Sequence, residues 1–215
     1  MQLNDLVFGN PSRQHLIYLE TENFLDSLLK ELASNPAPTN QSEDSSQELI
    51  ELMKYTNHLK EDEGLLRRFV LYDADLEAYI LKRLSDYGIP EEDIRNLIIE
   101  VHKDVAPLLF KLKYHYNRIR PFQLASYKKM QFHHWRTRSS DSPSYPCGHT
   151  FQAKIYAEVL GGRYPKYYKP LHELADDVSW SRQYLGSNYP TDKEFALYAA
   201  DVVLKHPEFM RKYKL

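Results

Sequence analysis

The sequence predicts an all-α protein, a single-domain helical bundle. The chain has only seven glycines in 215 residues, its leucines recur at helical spacing, and strand signals are too sparse to build a sheet. A chain of this length can bury a core of its own, so residues 1–215 are most simply one domain. The apolar content of 42% and the charged content of 27% are ordinary for a soluble globular protein.

The N-terminal segment, residues 1–34, is predicted to contain one helix. We expect it to begin at Asn10 with Pro11 at its first helical position, where a missing N–H costs nothing. Apolar residues at helical spacing are then expected to be buried: Leu16, Leu19, Phe24, Leu28 and Leu32. The following segment, 35–46, is the only low-complexity stretch and is predicted to be a flexible surface loop.

The middle of the chain is predicted to be helical over 47–60 and 63–87, with Gly88 and Pro90 ending the second helix. The acids that follow Pro90 favour the positive end of a helix dipole, so we expect a helix over 90–120. Pro107 predicts a kink or a restart within this helix.

The C-terminal part combines one irregular stretch with three predicted helices. Residues 122–145 are expected to be irregular, and helices are expected over 149–160, 168–185 and 190–205. Gly161-Gly162 is expected to end the first of these three helices.

The composition argues against several classes of protein. A net charge of −2 and a pI near 6.5 disfavour generic binding to nucleic acid or to an anionic membrane. With Cys147 as the only cysteine, no internal disulfide can form. The N-terminal residues do not form a secretory signal, and no apolar run approaches the roughly 18–20 residues that span a bilayer. We therefore expect a cytoplasmic protein without nucleic-acid or membrane partners.

Three short segments carry cations and an imidazole. They are KYHYNRIRP at 113–121, PCGH at 146–149 and SRQYLGSNYPTD at 181–192. A transferring phosphoryl group spreads its charge over three oxygens, so its binding requires several fixed donors. Lys113 and Arg120 are seven residues apart and are predicted to point to one side of one helix, which Pro121 then ends.

The second and third segments add further donors. Gly148 permits close approach of an anion to a helix start, and His149 has an ordinary pKa near neutrality, suited to proton transfer. Arg182 adds a planar fork of donors. Taken singly, these residues favour simpler interpretations: a solvated basic face for Lys113 and Arg120, a capping or exposed histidine for His149, and a surface ion pair for Arg182.

In this order and spacing the segments resemble the signature of the type 2 phosphatidic acid phosphatase superfamily. This superfamily includes soluble class A acid phosphatases and vanadium haloperoxidases, and its pattern is K-x6-R-P, then P-S-G-H, then S-R-x5-H-x3-D. The chain agrees at nine of the eleven positions, and it is closest in size and solubility to the acid phosphatases. The resemblance implies a helical bundle of the acid phosphatase and haloperoxidase type, with a phosphatase-like core over 105–205.

The resemblance also implies roles for the motif residues. Those that would bind the substrate phosphate are Lys113, Arg120, Cys147, Gly148 and Arg182. His149 would protonate the leaving group, position 188 would attack phosphorus to give a phosphohistidine, and Asp192 would orient the nucleophile. The phosphatase branch needs no metal and no cofactor, so the implied ligands are a small phosphorylated substrate, phosphate or vanadate.

Two positions depart from this pattern. Cys147 replaces a serine and is a weaker donor, and Asn188 replaces the nucleophilic histidine. A carboxamide nitrogen is a poor nucleophile because its lone pair is delocalised into the carbonyl. Three explanations are open: an engineered, inactivated variant, a natural relative that has lost hydrolysis, or attack by another group. For the last explanation the candidates are the Cys147 thiolate and a water held by Asn188 and Asp192.

The predicted function is therefore that of a phosphatase-superfamily protein for a small soluble phosphomonoester, nucleotides included, with little or no turnover because of Asn188. The alternative is a non-catalytic protein that sequesters a phosphorylated metabolite or nucleotide. Basic and aromatic residues over 128–138 either form a rim that stacks a base or sugar, or are a loop whose aromatic residues pack into the core. The leucine-rich N-terminal half is compatible with a core and with the interface of a homo-oligomer.

Overall fold

The computed structural model describes residues 3–215, and this part of the chain is helical without any strand, which confirms the all-α prediction. The α-helices are α1 Arg13–Glu20, α2 Leu29–Ala33, α3 Glu43–Glu61, α4 Glu63–Ala74, α5 Leu76–Ser85, α6 Glu91–Tyr116, α7 Pro121–Tyr127, α8 Gly148–Arg163, α9 Tyr168–Tyr184, α10 Pro190–Leu204 and α11 Pro207–Tyr213. Short 3-10 helices cover Leu3–Asp5, Phe24–Leu28, Arg138–Asp141 and Pro165–Tyr167.

The N-terminal segment is broken, so the prediction of one helix within 1–34 is wrong; Met1 and Gln2 lie outside the described residues. The Ser12 side chain accepts a hydrogen bond from the His15 N–H, and α1 therefore begins at Arg13 rather than at Asn10. Asn23 caps a separate 3-10 turn by accepting from the Leu25 N–H. Local side-chain caps thus divide the segment into short pieces.

The same break changes which apolar side chains are buried. Leu32 is fully buried as predicted, but Leu16 is 39% exposed on α1. The other three, Leu19, Phe24 and Leu28, are half-buried. The predicted loop over 35–46 is also shorter than expected, because Ser42 caps α3 and the helix begins at Glu43.

Three further helix boundaries differ from the predictions. The helix expected over 63–87 divides at Asp75, whose side chain accepts from the Ala78 N–H and starts α5. Pro107 lies inside a continuous 26-residue α6, where tertiary packing outweighs the loss of one backbone hydrogen bond. Gly161 lies within α8 rather than at its end: a Cβ there would lie 2.6 Å from Tyr168 Cδ2, so the glycine permits α9 to approach closely.

The long helices α6, α8, α9 and α10 form the centre of the bundle. α8 packs against the other three, α1, α2 and α5 pack against α6, and α3 and α4 pack against α9. The main core includes fully buried residues from these central helices: Val105, Leu112, Phe151, Ile155, Val178 and Ala199. Among the described helices, none is both long enough and apolar enough to cross a membrane. Helices α1 to α5 of the N-terminal half thus pack against α6 and α9, two of the helices that carry motif segments.

Candidate active site

The first segment does not lie on one helix, and this corrects the prediction of a helix over 90–120. α6 ends at Tyr116 because Asn117 adopts a left-handed conformation with φ 49° and ψ 34°. Pro121 then begins α7 instead of ending a helix, as its fixed φ and missing N–H allow at a first helical position. Lys113 thus lies on the last turn of α6, whereas Arg120 precedes α7.

Lys113 is buried, and its Nζ donates to the Pro143 carbonyl at 2.7 Å. Burial lowers the pKa of this lysine to about 7, and the nearby Arg120 charge contributes in the same direction. A lysine in this state holds its proton weakly until an anion arrives.

Arg120 joins two loops through its guanidinium. Its Nε donates to the Ser142 carbonyl at 2.8 Å, and its Nη2 donates to the Ser139 carbonyl at 3.1 Å. Its Nη1 donates to the Ser187 carbonyl at 3.0 Å and to Asn188 Oδ1 at 3.1 Å. Burial, aided by the Arg182 charge and opposed by Asp192, lowers the pKa of Arg120 to about 10. The guanidinium is therefore held by neutral oxygens and keeps an uncompensated positive charge.

Arg182, on α9, is fully buried and only half paired. Its Nη2 donates to Ser139 Oγ at 2.8 Å and lies 3.0 Å from Asp73 Oδ1. Its Nε and Nη1 have no hydrogen-bond partner among residues 3–215. Because an unsatisfied buried donor costs roughly 1–3 kcal/mol, these two N–H groups indicate a place for an acceptor.

Asp73, on α4, was missed by the sequence reasoning. Its carboxylate accepts from Ser139 Oγ at 2.5 Å and from the Arg138 N–H at 2.7 Å, and it pairs with Arg182. Burial works to raise the pKa of Asp73, but Arg182 and these hydrogen bonds together lower it. Asp73 within LYDADL matches no motif, so only the fold reveals its position beside Arg182.

The second segment begins α8 at the cavity. A Cβ added to Gly148 would lie 3.4 Å from Lys113 Cε, so the glycine lets the helix start lie against the lysine. The next residue, His149, makes no side-chain hydrogen bond with the described residues and lines the cavity. Its imidazole is therefore available to a ligand at the N-terminal end of a helix.

The charge state of His149 follows from its surroundings. Burial is the main cause that lowers its pKa to about 3, and the Arg182 charge adds to this effect. Lys113 and Arg120 act in the same direction, and Asp73 opposes them. Lys113, Arg120 and His149 line one cavity, and Arg120 and Arg182 both donate to Ser139, so the four head groups lie near one another. We call Lys113, Arg120, His149 and Arg182 the anion pocket.

Cys147 lies behind this pocket rather than in its wall. It is fully buried, its backbone N–H donates to the Asp192 carbonyl at 3.0 Å, and its Sγ accepts from Thr150 Oγ1 at 3.2 Å. The residues that line the cavity do not include it.

Asn188, in the third segment, has its amide committed to the protein. Its Nδ2 donates to the Ser144 carbonyl at 2.7 Å and to Asp192 Oδ2 at 3.2 Å, while its Oδ1 accepts from Arg120. The opposite orientation would place the amide oxygen against two acceptors and the amide N–H groups against a guanidinium. The hydrogen bonds therefore determine which way the amide points.

Asp192 belongs to a second buried group that sequence reasoning did not find. Its Oδ1 accepts from Arg118 Nη1 at 2.7 Å, and its Oδ2 accepts from the Tyr189 N–H at 2.8 Å. Arg118 Nη2 donates to Glu48 Oε2 at 2.8 Å. The other Glu48 oxygen accepts from the Thr191 N–H at 2.8 Å and from its hydroxyl at 2.6 Å. We call Glu48, Arg118 and Asp192 the paired cluster. Arg118, the first arginine of the RIRP sequence, was the one signal for it in the sequence.

A cavity of about 250 Å³ opens onto the anion pocket. Motif residues that line it are Lys113, Arg120, Gly148, His149 and Asn188. Arg182 is fully buried and does not line the cavity itself; it donates to Ser139, which does. The rest of the wall includes His15 and Tyr18 from α1 and His102 and Phe110 from α6, none of which was predicted. No residue of 128–138 lines this cavity; Phe132 and Trp135 pack against the hydrophobic clusters, so the packing interpretation of that stretch is confirmed.

Residues 105–205 match the sequence profile of the PAP2 superfamily. The chain contains a PAP2 superfamily domain. All three motif segments lie within the matched residues, and proteins of this superfamily are generally phosphoryl hydrolases. No curated protein matches the chain. Glu48, Asp73 and α1 lie outside the PAP2 domain, so the site combines this domain with residues of the N-terminal half.

Proposed function

We propose that the anion pocket binds the phosphoryl group of a small phosphomonoester, and that this chain holds the substrate without forming a phosphohistidine. The observation that carries the proposal is Arg182, a fully buried guanidinium with two N–H donors that no described residue accepts. Of the three cations Lys113, Arg120 and Arg182, only Arg182 pairs with a carboxylate among the described residues, which is Asp73, so a dianion would offset the remaining charge.

The arrangement suits a tetrahedral anion in several respects. Arg182 Nε and Nη1 can donate to two phosphate oxygens, and the start of α8 offers backbone N–H groups that lack helical partners. A bound dianion would favour the protonated forms of Lys113 and His149, whose pKa values are low in the free pocket. His149 could then donate a proton to the leaving oxygen.

The covalent step lacks its nucleophile. The Asn188 amide nitrogen has a delocalised lone pair, and its donors are used by Ser144 and Asp192. Of the alternative attacking groups, the Cys147 thiol is buried away from the cavity. A water molecule beside Asn188 could not be held by the amide N–H groups, because these already donate to the Ser144 carbonyl and to Asp192. These observations support binding without turnover, whether Asn188 is natural or engineered.

Titration calorimetry with orthophosphate tests the binding step, and Asn188→His tests the chemistry. We expect the wild-type chain to bind orthophosphate and to leave p-nitrophenyl phosphate intact, and we expect Asn188→His to hydrolyse it through an acid-labile phosphoenzyme. Hydrolysis by the wild-type chain at the rate of Asn188→His would contradict the proposal, as would a wild-type chain that does not bind phosphate.

A sequestering protein is the second candidate, and the engagement of the Asn188 amide with Arg120 and Asp192 favours it. In this case Asn188→His would remain inert, while the wild-type chain would bind one phosphomonoester much more tightly than orthophosphate. Vanadate binding without halogenation in the presence of peroxide and bromide would separate both candidates from a haloperoxidase.

A further inference from the structure

The outer wall of the cavity includes three residues of α1, Gln14, His15 and Tyr18, which lie outside the PAP2 domain. His15 on α1 is buried, and its Nδ1 is hydrogen-bonded to the Tyr114 hydroxyl at 2.7 Å. Its Nε2 faces Asp141 Oδ2 at 3.7 Å, too far for a direct hydrogen bond. Burial lowers the pKa of His15, with Lys113 adding to the effect and Asp141 opposing it. A neutral imidazole and a carboxylate thus face each other across a gap that a hydroxyl group could bridge.

The aromatic rings of this wall are already engaged with one another. The Phe110 ring lies 4.7 Å from the Tyr18 ring, nearly parallel at 7°, and 4.6 Å from the His15 ring. The Tyr18 hydroxyl is 3.3 Å from His102 Nε2. Because these contacts occupy the Phe110 ring, it is poorly placed to stack a nucleobase.

Two carboxamides complete the wall with spare hydrogen-bonding capacity. The Gln14 side chain is exposed at the cavity and has no hydrogen-bond partner among residues 3–215. Gln152 Nε2 lies 3.3 Å from His102 Nδ1, and within the same residues its Oε1 has no hydrogen-bond partner. These carboxamides therefore offer unused polar groups to a ligand in the cavity.

We propose that this outer wall is a subsite for the alcohol part of the phosphomonoester, and that it selects an alcohol with several hydroxyl groups, as in a polyol or sugar phosphate. The residues involved are Gln14, His15, Asp141 and Gln152. The inference rests on the proposed function, because the anion pocket positions the phosphoryl group beside this wall.

Size and charge agree with this substrate class. A cavity of about 250 Å³ is smaller than the roughly 300–1,000 Å³ typical of drug-sized ligands, so it suits a compact alcohol. Among residues 3–215, Asp141 is the only carboxylate that lines it, and a carboxylate at the outer side disfavours a second phosphate group. A site that hydrogen-bonds substrate hydroxyls discriminates against analogues that lack them, because its polar groups are then left unpaired.

Two esters with the same three-carbon chain test the inference, since glycerol 3-phosphate and n-propyl phosphate differ only by two hydroxyl groups. We expect calorimetry on the full chain to give about tenfold tighter binding of glycerol 3-phosphate, the effect of one or two neutral hydrogen bonds. Gln14→Leu and Gln152→Leu together should reduce this ratio to about threefold or less and leave the orthophosphate affinity unchanged. Gln47→Leu, an exposed glutamine on α3, is the matched control and should leave both quantities unchanged.

The outcomes separate this inference from the proposed function. If orthophosphate binds but propyl phosphate equals or exceeds glycerol 3-phosphate, the subsite is wrong and the anion pocket stands. Tighter binding of a nucleoside 5′-monophosphate than of glycerol 3-phosphate would overturn the subsite in the same way. If orthophosphate itself does not bind to a folded chain, the proposed function fails and the subsite fails with it.

Discussion

Two arginines that lie two residues apart in sequence occupy equally buried sites with opposite electrostatics. Arg118 pairs with Glu48 and Asp192, and its guanidinium lies 3.9 Å from the centre of the Tyr189 ring. Burial alone would lower the pKa of Arg118, but the two carboxylates raise it above its ordinary value. Arg120 is held mainly by carbonyl oxygens, and its pKa falls to about 10.

The contrast indicates that the two buried clusters have different roles, one in stability and the other in binding. In the paired cluster each charge has an opposite charge within 2.8 Å, so it can stabilise the fold without any ligand. In the anion pocket, only Arg182 pairs with a carboxylate among the described residues, and its Nε and Nη1 have no acceptor there. Burial does not by itself identify a functional arginine; the balance of its partners does.

Removal of the arginine from the paired cluster should have the largest effect on stability. Arg118→Met leaves Glu48 and Asp192 as buried, uncompensated carboxylates, and we expect a loss of about 3–5 kcal/mol in the free energy of unfolding. Urea denaturation followed by circular dichroism measures this loss. Arg67→Met, which removes an exposed i,i+4 pair with Glu63, should cost at most about 1 kcal/mol. Equal losses in the two variants would contradict the stabilising role of the paired cluster.

In the anion pocket, replacement of an arginine by methionine should affect phosphate binding more than stability. Arg182→Met removes the two unsatisfied donors, so we expect at least about tenfold weaker orthophosphate binding and a smaller loss of stability than Arg118→Met causes. Calorimetry and denaturation on the same samples give both values. Arg68→Met, which breaks a partly exposed pair with Asp177, is the control and should bind orthophosphate normally. Unchanged affinity in Arg182→Met would remove the main support for the pocket.

The anion pocket should also differ from the paired cluster in how its stability and binding depend on pH, because it contains Lys113. Because folding lowers the pKa of Lys113 from 10.5 to about 7, the unfolded chain holds a proton between these pH values that the folded chain releases. This residue therefore makes the free energy of unfolding rise with pH across that window. A bound dianion favours the charged lysine, so binding near pH 8 should take up a fraction of a proton.

Sulfate is the suitable probe for this uptake, because it is a tetrahedral dianion that does not titrate near neutral pH. The binding enthalpy should differ between buffers of different ionisation enthalpy in the wild-type chain, and the difference should shrink near pH 6 and in Lys113→Met. Proton release on sulfate binding at pH 8 would show that the sign is wrong.

The smallest effect is expected at Cys147, which lies between the two clusters. Its N–H donates to the Asp192 carbonyl, and its thiol is absent from the cavity wall. Cys147→Ser should therefore change the orthophosphate affinity by less than about threefold, within the range of one neutral hydrogen bond. A large gain in affinity would instead mean that a hydroxyl at this position reaches the phosphate directly, as the superfamily pattern implies for its serine.

Much of the architecture could be predicted from the sequence because helix formation depends on local signals. The helices predicted over 47–60, 168–185 and 190–205 are confirmed to within a few residues, since leucine spacing and proline starts act over a few turns. The errors lie where a side chain overrides the pattern, as Ser12 and Asp75 do by capping. The helix end predicted at Gly161 was wrong for another reason: the glycine is needed for close contact with Tyr168. The cytoplasmic location and a homo-oligomer stay predictions.

The sequence by itself determined the helical class and the three motif segments, because composition and spacing along the chain carry both. Only the tertiary structure decided which charges are paired. Asp73 reaches Arg182 over 109 positions, Glu48 reaches Arg118 over 70, and α1 reaches the cavity from outside the PAP2 domain. Electrostatic energy depends on distance in space and on burial, and neither can be read from separation along a chain.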